Sequence, residues 1–292
     1  MSAKAAFPLK DELFDMVVID EASQCDIASA IPLILRTKQL VVIGDPLQLK
    51  HISMVNDYEE TFIKEHLLVS NCAFLQYNRK SLWDYSKDLL ALAASPNNVP
   101  IMIDRHYRCH PHIIGYSNET FYTRMLGTQL QICTTDTQFN LQPKGIIWID
   151  VKGEQKASNI NVNNAEVLKS IEIATQLATT HKNISIGIVT PFRNQAEQLN
   201  AKIPNQFRDR IVADTVYKFQ GDEKDVIIYS LVVTDNSPST KINWIDNSVP
   251  NLVNVAVTRA RNTLYVVGNK EYIKQKSNLT KPLGKLVQYV DR

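Results

Sequence analysis

The sequence predicts an α/β protein built on mostly parallel sheets with helices over them. Three observations carry this. Short runs rich in Val and Ile recur without polar alternation, as strands buried on both faces require. Amphipathic stretches at helical spacing separate them, the alternation expected of parallel α/β layers. Acidic or glycine-bearing turns follow two of the runs directly, which is where open α/β sheets bind ligands.

The elements follow in order. Residues 16–19 and 40–43 read as the first two strands, and residues 82–94 as a helix. Ser95-Pro96-Asn97-Asn98 is a turn cluster and places a domain boundary, dividing the chain into 1–95 and 96–292. Two strands are too few for a complete α/β domain. The first part is therefore expected to leave apolar surface and a strand edge open. Beyond the boundary, residues 101–103, 146–149, 184–189, 226–233 and 264–267 read as strands. Residues 164–181 form the clearest helix, with Ala165, Leu168, Ile171, Leu177 and Ala178 near helical spacing. Residues 195–202 are a second helix, and the polar stretch 234–250 reads as a long, functional loop.

Composition bounds the function classes. The 292 residues suffice for about two domains, and a hydrophobic content of 44% fills a core, so general disorder is excluded. A net charge of +2 casts no vote for or against nucleic acid. Cys25, Cys72, Cys109 and Cys133 are scattered with no C-x-x-C spacing, which argues against a zinc site or disulfides and for reduced thiols in a cytoplasmic setting. The longest apolar run, residues 226–233, falls far short of the roughly 20 residues that span a bilayer. The N-terminus lacks a secretory pattern, so no membrane partner is expected.

Five segments carry chemistry. Asp20-Glu21-Ala22-Ser23-Gln24 follows the first strand. Its first carboxylate suits Mg²⁺ and its second an attacking water, against the plainer reading of an acidic helix cap. Gly44-Asp45-Pro46-Leu47-Gln48-Leu49 follows the second strand, and the Gln48 amide can sense a γ-phosphate. In Arg105-His106-Tyr107-Arg108-Cys109-His110-Pro111, Arg108 offers a planar fork for phosphate and Tyr107 a ring for a nucleobase. His106, His110 and His112 have no companion ligands at metal spacing and read as packing or hydrogen-bonding residues. Between Asp214 and Asp225, Thr215 and Lys218 suit backbone phosphates, Gln220-Gly221 allows close backbone approach, and Glu223 can accept from a ribose hydroxyl. Asn254 to Arg261 offers an arginine on a rigid element, as an arginine finger requires.

In this order and spacing, the five resemble the superfamily 1B helicases of the nonsense-mediated-decay and senataxin type, from about Phe14 to Gly268. Asp20 to Gln24 matches the family's Walker B box. Gly44 to Leu49 matches its Gly-Asp-Pro-x-Gln-Leu box. Tyr107 to Pro111 is similar to its Gln-Tyr-Arg-Met-His-Pro box, and Thr190-Pro191-Phe192-Arg193-Asn194-Gln195 to the start of its second-core nucleic-acid contacts. The resemblance implies two RecA-like domains of the P-loop type that bind ATP between them and move 5′ to 3′ on single-stranded DNA or RNA. Residues 1–95 would be the C-terminal part of the first domain and residues 96–292 the second. It further implies that Asp20 coordinates Mg²⁺ and Glu21 activates water. Gln48, Arg108 and Arg259 would read the γ-phosphate. Tyr107 would stack on adenine beside Gln220, Gly221 and Glu223, while Thr190, Pro191, Thr215 and Lys218 hold nucleic acid.

Three departures stand out. His106 replaces the family's glutamine, and Lys50-His51 replaces Pro-Pro. None of the nine glycines begins G-x-x-x-x-G-K-[ST]. The expected function is the C-terminal portion of an ATP-dependent helicase, inactive until a P-loop segment or subunit completes it. A non-hydrolysing binding module and one half of a split motor are the alternatives.

Overall fold

The first two Val/Ile runs form strands that pair in parallel. In the computed structural model, residues 7–8, 10–69, 74–93, 100–153, 161–235 and 237–292 are described. β1 (Phe14–Ile19) runs beside β2 (Thr37–Val42), with Val17 opposite Leu40 and Val18 opposite Val41. The chain divides into two units, Met1–Met102 and Ile103–Arg292. The turn cluster at 95–98 lies outside the described residues.

In the first unit, the helix Ile27–Ile34 starts at Asp26, whose carboxylate accepts the Ser29 N–H at 2.9 Å. The helix Leu82–Leu92 starts with a reciprocal capping box between Ser81 and Asp84. Leu82 and Ala30 pack with Ala22, Ile19 and Val42, covering one face of the two strands. Strand period puts Met16, Val18 and Val41 on the other face, where Met16 is 53% and Val18 56% exposed. The expectation of strands covered on both faces is therefore corrected for this unit, where the described residues supply a helical layer to one face only.

The second unit opens with β3 (Arg105–His106), which pairs with β4 (Gln131–Ile132). Residues 101–103, expected as a strand, form none, and Ile101 is 94% exposed. Five longer strands follow: β5 (Gly145–Asp150), β6 (Ile186–Thr190), β7 (Ile211–Thr215), β8 (Lys224–Ser230) and β9 (Ala260–Gly268). They make one all-parallel sheet in the order β5-β9-β8-β6-β7. Val167, Ala174 and Ala178 of the helix Asn164–Thr180, with Leu199 of the helix Arg193–Lys202, pack on Ile188, Ile228 and Val267. The alternate residues Ile227, Leu264 and Val266 are equally buried. The helices Pro111–Ser117, Asn251–Thr258 and Pro282–Val290 pack against strands of the same sheet.

Two other expectations change. The stretch 234–250 is not a loop. It holds the helix Ser239–Asn243 and the π-helix Trp244–Ser248, anchored by buried Ile242 and Ile245 at helical spacing. The strand expected at 226–233 ends at Ser230, because Val232 takes a left-handed backbone (φ 57°).

Burial sets the scale of substitutions. Val18→Thr combined with Val41→Thr should change unfolding free energy by less than about 0.5 kcal/mol per site and reduce self-association. Ile228→Ala should cost about 2–5 kcal/mol. Denaturant unfolding and sedimentation velocity check both.

Candidate functional site

In the first unit, parallel pairing brings the loops after β1 and β2 to one edge. Asp20 is exposed there, and its Oδ1 accepts the Glu21 N–H at 2.7 Å. Glu21 is left-handed (φ 51°), a strained choice for a residue with a side chain, and it turns the chain sharply at the strand end. Ala22 N–H donates to Ile43 O at 2.8 Å, and His51 N–H to Ser23 O at 3.2 Å, so the two loops are stitched together. Gly44 leaves no room for a side chain, since a Cβ would lie 2.9 Å from Trp83 Cδ1 and 3.1 Å from Ser23 N. The Asp45 carboxylate accepts from Leu47 N–H at 2.8 Å and Gln48 Nε2 at 3.3 Å, which fixes the turn and the amide together. Asp20, Glu21, Asp45 and Gln48 thus share one edge. Among the described residues no group of three His, Cys, Asp or Glu could by itself hold a metal ion.

In the second unit, the amino ends of β8 and β9 carry a cluster of guanidiniums and carboxylates. Arg108 Nε pairs with Glu223 Oε2. Glu223 Oε1 lies 3.5 Å from Arg261 Nη1, and Arg261 Nη2 lies 2.9 Å from Asp225 Oδ1. Arg259 is only 2% exposed, with Nη1 donating to Asp222 O at 3.2 Å and Nη2 to Thr258 Oγ1 at 3.4 Å. His110 N–H donates to Arg261 O at 2.7 Å, which docks residues 107–111 on residues 258–261 across a long sequence separation. Arg108, Glu223 and Arg259 therefore come together. Tyr107 is exposed beside Arg108 in sequence. Gly221 has φ 84°, a conformation that favours glycine, and Gln220 is half-buried next to it. Arg261 joins this cluster at i, i+2 spacing from Arg259 at a strand start, the one sign of it in the sequence.

The neighbouring histidines are bonded within the protein. Burial, with the Arg108 charge second, lowers the His106 pKa to about 4, and its Nε2 accepts the Cys109 N–H at 2.8 Å. His110 Nε2 meets Asp136 Oδ1 at 2.8 Å, and His112 Nδ1 accepts the Ile146 N–H at 3.1 Å. Burial pushes the Cys109 thiol up to about 12.

The nucleic-acid candidates lie at the opposite end of the same sheet. Thr190 and Thr215 are register partners at the carboxyl ends of β6 and β7. Residues 216–223 return from that edge to the amino end of β8, with Phe219 against Gly187 in mid-sheet. Lys218 is exposed and pairs with Asp214 at 3.3 Å. Thr190 and Pro191 are buried, with Thr190 Oγ1 accepting the Phe192 N–H at 3.5 Å. Both therefore sit inside the turn that leads into the next helix, while Lys218 stands exposed on the same edge.

The sheets and their edge loops define the class, an α/β protein with parallel sheets flanked by helices. The AAA domain family matches residues 85–271, and a second match of the same description covers residues 2–54. The chain belongs to the AAA domain family, in its superfamily 1B, Sen1/senataxin-like helicase branch.

Helicase SEN1 of Saccharomyces cerevisiae is 28% identical over 92% of this chain and 12% of its own length. The probable helicase senataxin of Homo sapiens is 27% identical over 88% of this chain and 9% of its own. An uncharacterized ATP-dependent helicase of Mycoplasma pneumoniae is 29% identical over 89% and 23%. The chain thus spans less than a quarter of the length of these relatives. Among solved structures, an Arterivirus nonstructural protein 10 helicase in complex with DNA matches with 11% identity and a TM-score of 0.42, over 87% of this chain and 40% of that one.

Two solution measurements follow from the second cluster. N-ethylmaleimide at pH 7.5 should label exposed Cys133 and spare Cys109 in the native protein, as read by peptide mass mapping. His106 has a folded-state pKa below its unfolded value of about 6.5. Its contribution to stability is therefore full above that value and is lost as pH falls toward about 4. An NMR titration of the His106 ring should show no protonation at pH 6.

Proposed function

We propose that this chain is the part of an ATP-dependent, 5′-to-3′ nucleic-acid helicase that runs from the Walker B box to the arginine cluster. The observation that carries the reading is the gathering of Arg108, Glu223 and Arg259 at one sheet edge from three distant segments. A surface-exposed ion pair is worth only about 0–1 kcal/mol, so stability alone is a weak reason to assemble such a cluster. The grouping of Asp20, Glu21 and Gln48 at the edge of β1 and β2 supports the same reading. Residues 1–95 are proposed as the C-terminal part of one RecA-like domain and 96–292 as the second, working in the cytoplasm.

In this mechanism Glu21 orients and deprotonates the attacking water. Gln48, Arg108 and Arg259 donate to the γ-phosphate oxygens as charge develops there. Arg108 exchanges Glu223 for phosphate, and Arg261 remains to balance Glu223, which accepts from the ribose. Tyr107 stacks on adenine, with Gln220 and Gly221 allowing close backbone approach. Thr215 and Lys218 contact a single strand of DNA or RNA on an edge shaped by Thr190 and Pro191.

Mg²⁺ takes oxygen ligands, keeps several waters, and is held by one or two carboxylates plus substrate phosphates. The exposed Asp20 carboxylate, with Glu21 and Asp45 at the same edge, fits that donor set. The ion would neutralise charge on the β- and γ-phosphate oxygens.

The 292 residues contain no G-x-x-x-x-G-K-[ST] motif, so the phosphate cradle and its lysine are proposed to come from a P-loop segment or subunit. Phosphate release by the chain alone should be negligible and should appear when a P-loop polypeptide is supplied. In the restored motor, Arg259→Ala should lower kcat by about 10³–10⁵. Brisk Mg²⁺-dependent hydrolysis by the chain alone would contradict the incomplete-motor reading. No hydrolysis with any P-loop partner, but tight oligonucleotide binding, would favour a non-hydrolysing clamp.

A further inference from the structure

Glu166 sits in the first turn of the helix Asn164–Thr180 and is fully buried. Its Oε2 accepts from Ser230 Oγ at 2.7 Å and from the Val232 N–H at 2.8 Å. Its Oε1 accepts from Asn163 Nδ2 at 3.0 Å. Ser230 ends β8, and Val232 is a β-branched residue in the left-handed region (φ 57°), a conformation that persists only when its surroundings impose it.

The same carboxylate reaches the edge that follows β6. Ser230 Oγ accepts from Gln195 Nε2 at 2.9 Å while donating to Glu166. Gln195 Oε1 accepts the Asn163 N–H at 2.9 Å, and Gln195 is itself fully buried. Gln195 lies in the first turn of the helix Arg193–Lys202, directly after Thr190-Pro191-Phe192. One charged group therefore ties together three segments: the helix start at Asn163, the segment 190–195, and the turn after β8.

A buried carboxylate is unfavourable unless donors match its oxygens, and Ser230, Val232 and Asn163 supply them here. Burial raises the Glu166 pKa to about 7, against the lowering effect of the bonds from Ser230, Val232 and Asn163. The titratable groups that face it are Lys241, whose pKa burial lowers to about 8, and Tyr229, whose hydroxyl burial raises. The groups around the carboxylate are donors, so a proton on it costs one of the acceptor positions they use.

We propose that Glu166 is a positioning residue for the nucleic-acid edge of the second unit: it holds the segment 190–195 to the end of β8 through Ser230 and Asn163. The assignment of that edge to nucleic acid rests on the proposed function; the mechanical coupling of the two segments does not.

The test uses the full 292-residue chain with Glu166→Gln and the milder Ser230→Ala. Hydrogen exchange of segments 190–195 and 231–234 and the anisotropy of a labelled single-stranded oligothymidine are followed from pH 6 to 8.5. The wild-type chain should bind best above pH 7 and lose affinity as pH falls through about 7. Glu166→Gln should bind at least tenfold more weakly at pH 8, lose that pH dependence, and exchange faster in both segments. Ser230→Ala should speed exchange in 190–195 more than in 231–234.

Global stability moves the other way. The raised carboxyl pKa contributes stability at low pH that is lost as pH rises through about 7, so the wild-type melting temperature should fall across that window and that of Glu166→Gln should not. A residue with a purely structural role would move binding and stability together. Unchanged exchange in 190–195 in both variants would overturn the proposal. A wild-type chain that binds no oligonucleotide at any pH, with coupled exchange intact, supports the positioning role and counts against the nucleic-acid reading instead.

Discussion

The all-parallel register of the five-stranded sheet is the constraint on which the second unit depends. With Ile186 level with Ile211 and Val226, and Val226 with Thr263, every carboxyl end faces one edge and every amino end the other. Arg259 and Glu223 precede β9 and β8, and so meet at the amino edge. Thr190, Thr215 and Ser230 end their strands, and so line the carboxyl edge. The segment 216–223 has to run back across the sheet, and Gly187 makes the space that Phe219 occupies. Two chemically different edges therefore come from one pairing pattern.

Among the described residues other than glycine, Glu12, Glu21, Leu68 and Val232 have left-handed backbones. Glu21 and Val232 are both left-handed, and both lie just beyond a strand's carboxyl end. Each is held by a bond from its own N–H to a carboxylate, Asp20 for Glu21 and Glu166 for Val232. Such strain is of order 1–3 kcal/mol per residue and survives only where the surroundings over-determine it. At Glu21 it re-aims the chain after β1. At Val232 it stops β8 within a run whose apolar character continues through Val233.

Much of this was legible in the sequence, and the exceptions have physical reasons. The Val/Ile runs at 16–19, 40–43, 146–149, 184–189 and 264–267 all fall on strands, because β-branched and aromatic residues fit a pleated surface buried on at least one face. β7 was missed: it is a five-residue edge strand, and Ala213 and Asp214 dilute its apolar pattern. Residues 101–103 had the composition of a strand, but pairing in this part of the chain begins only at Arg105. The stretch 234–250 looked polar because Ile242 and Ile245, which anchor its helical turns, are sparse. Among site residues, the loop positions of Asp20 and Gln48 follow from the strand ends before them, whereas Arg108 comes after the two-residue β3 and Arg259 directly before the early start of β9. Glu166 was not legible, since a glutamate in the first turn of a helix ordinarily reads as an exposed partner of the helix dipole. The burial of Thr190 and Pro191 was also hidden, because it arises from packing distant in sequence.

The central claim is that acids and an amide in the first unit and guanidiniums in the second act on one triphosphate. Amide hydrogen exchange on this chain joined to a P-loop segment, with and without saturating Mg-ATP, tests it most directly. The account predicts that the nucleotide slows exchange in segments 20–24 and 44–49 and also in 106–109, 220–225 and 258–261. Protection confined to the segments of one unit would contradict it.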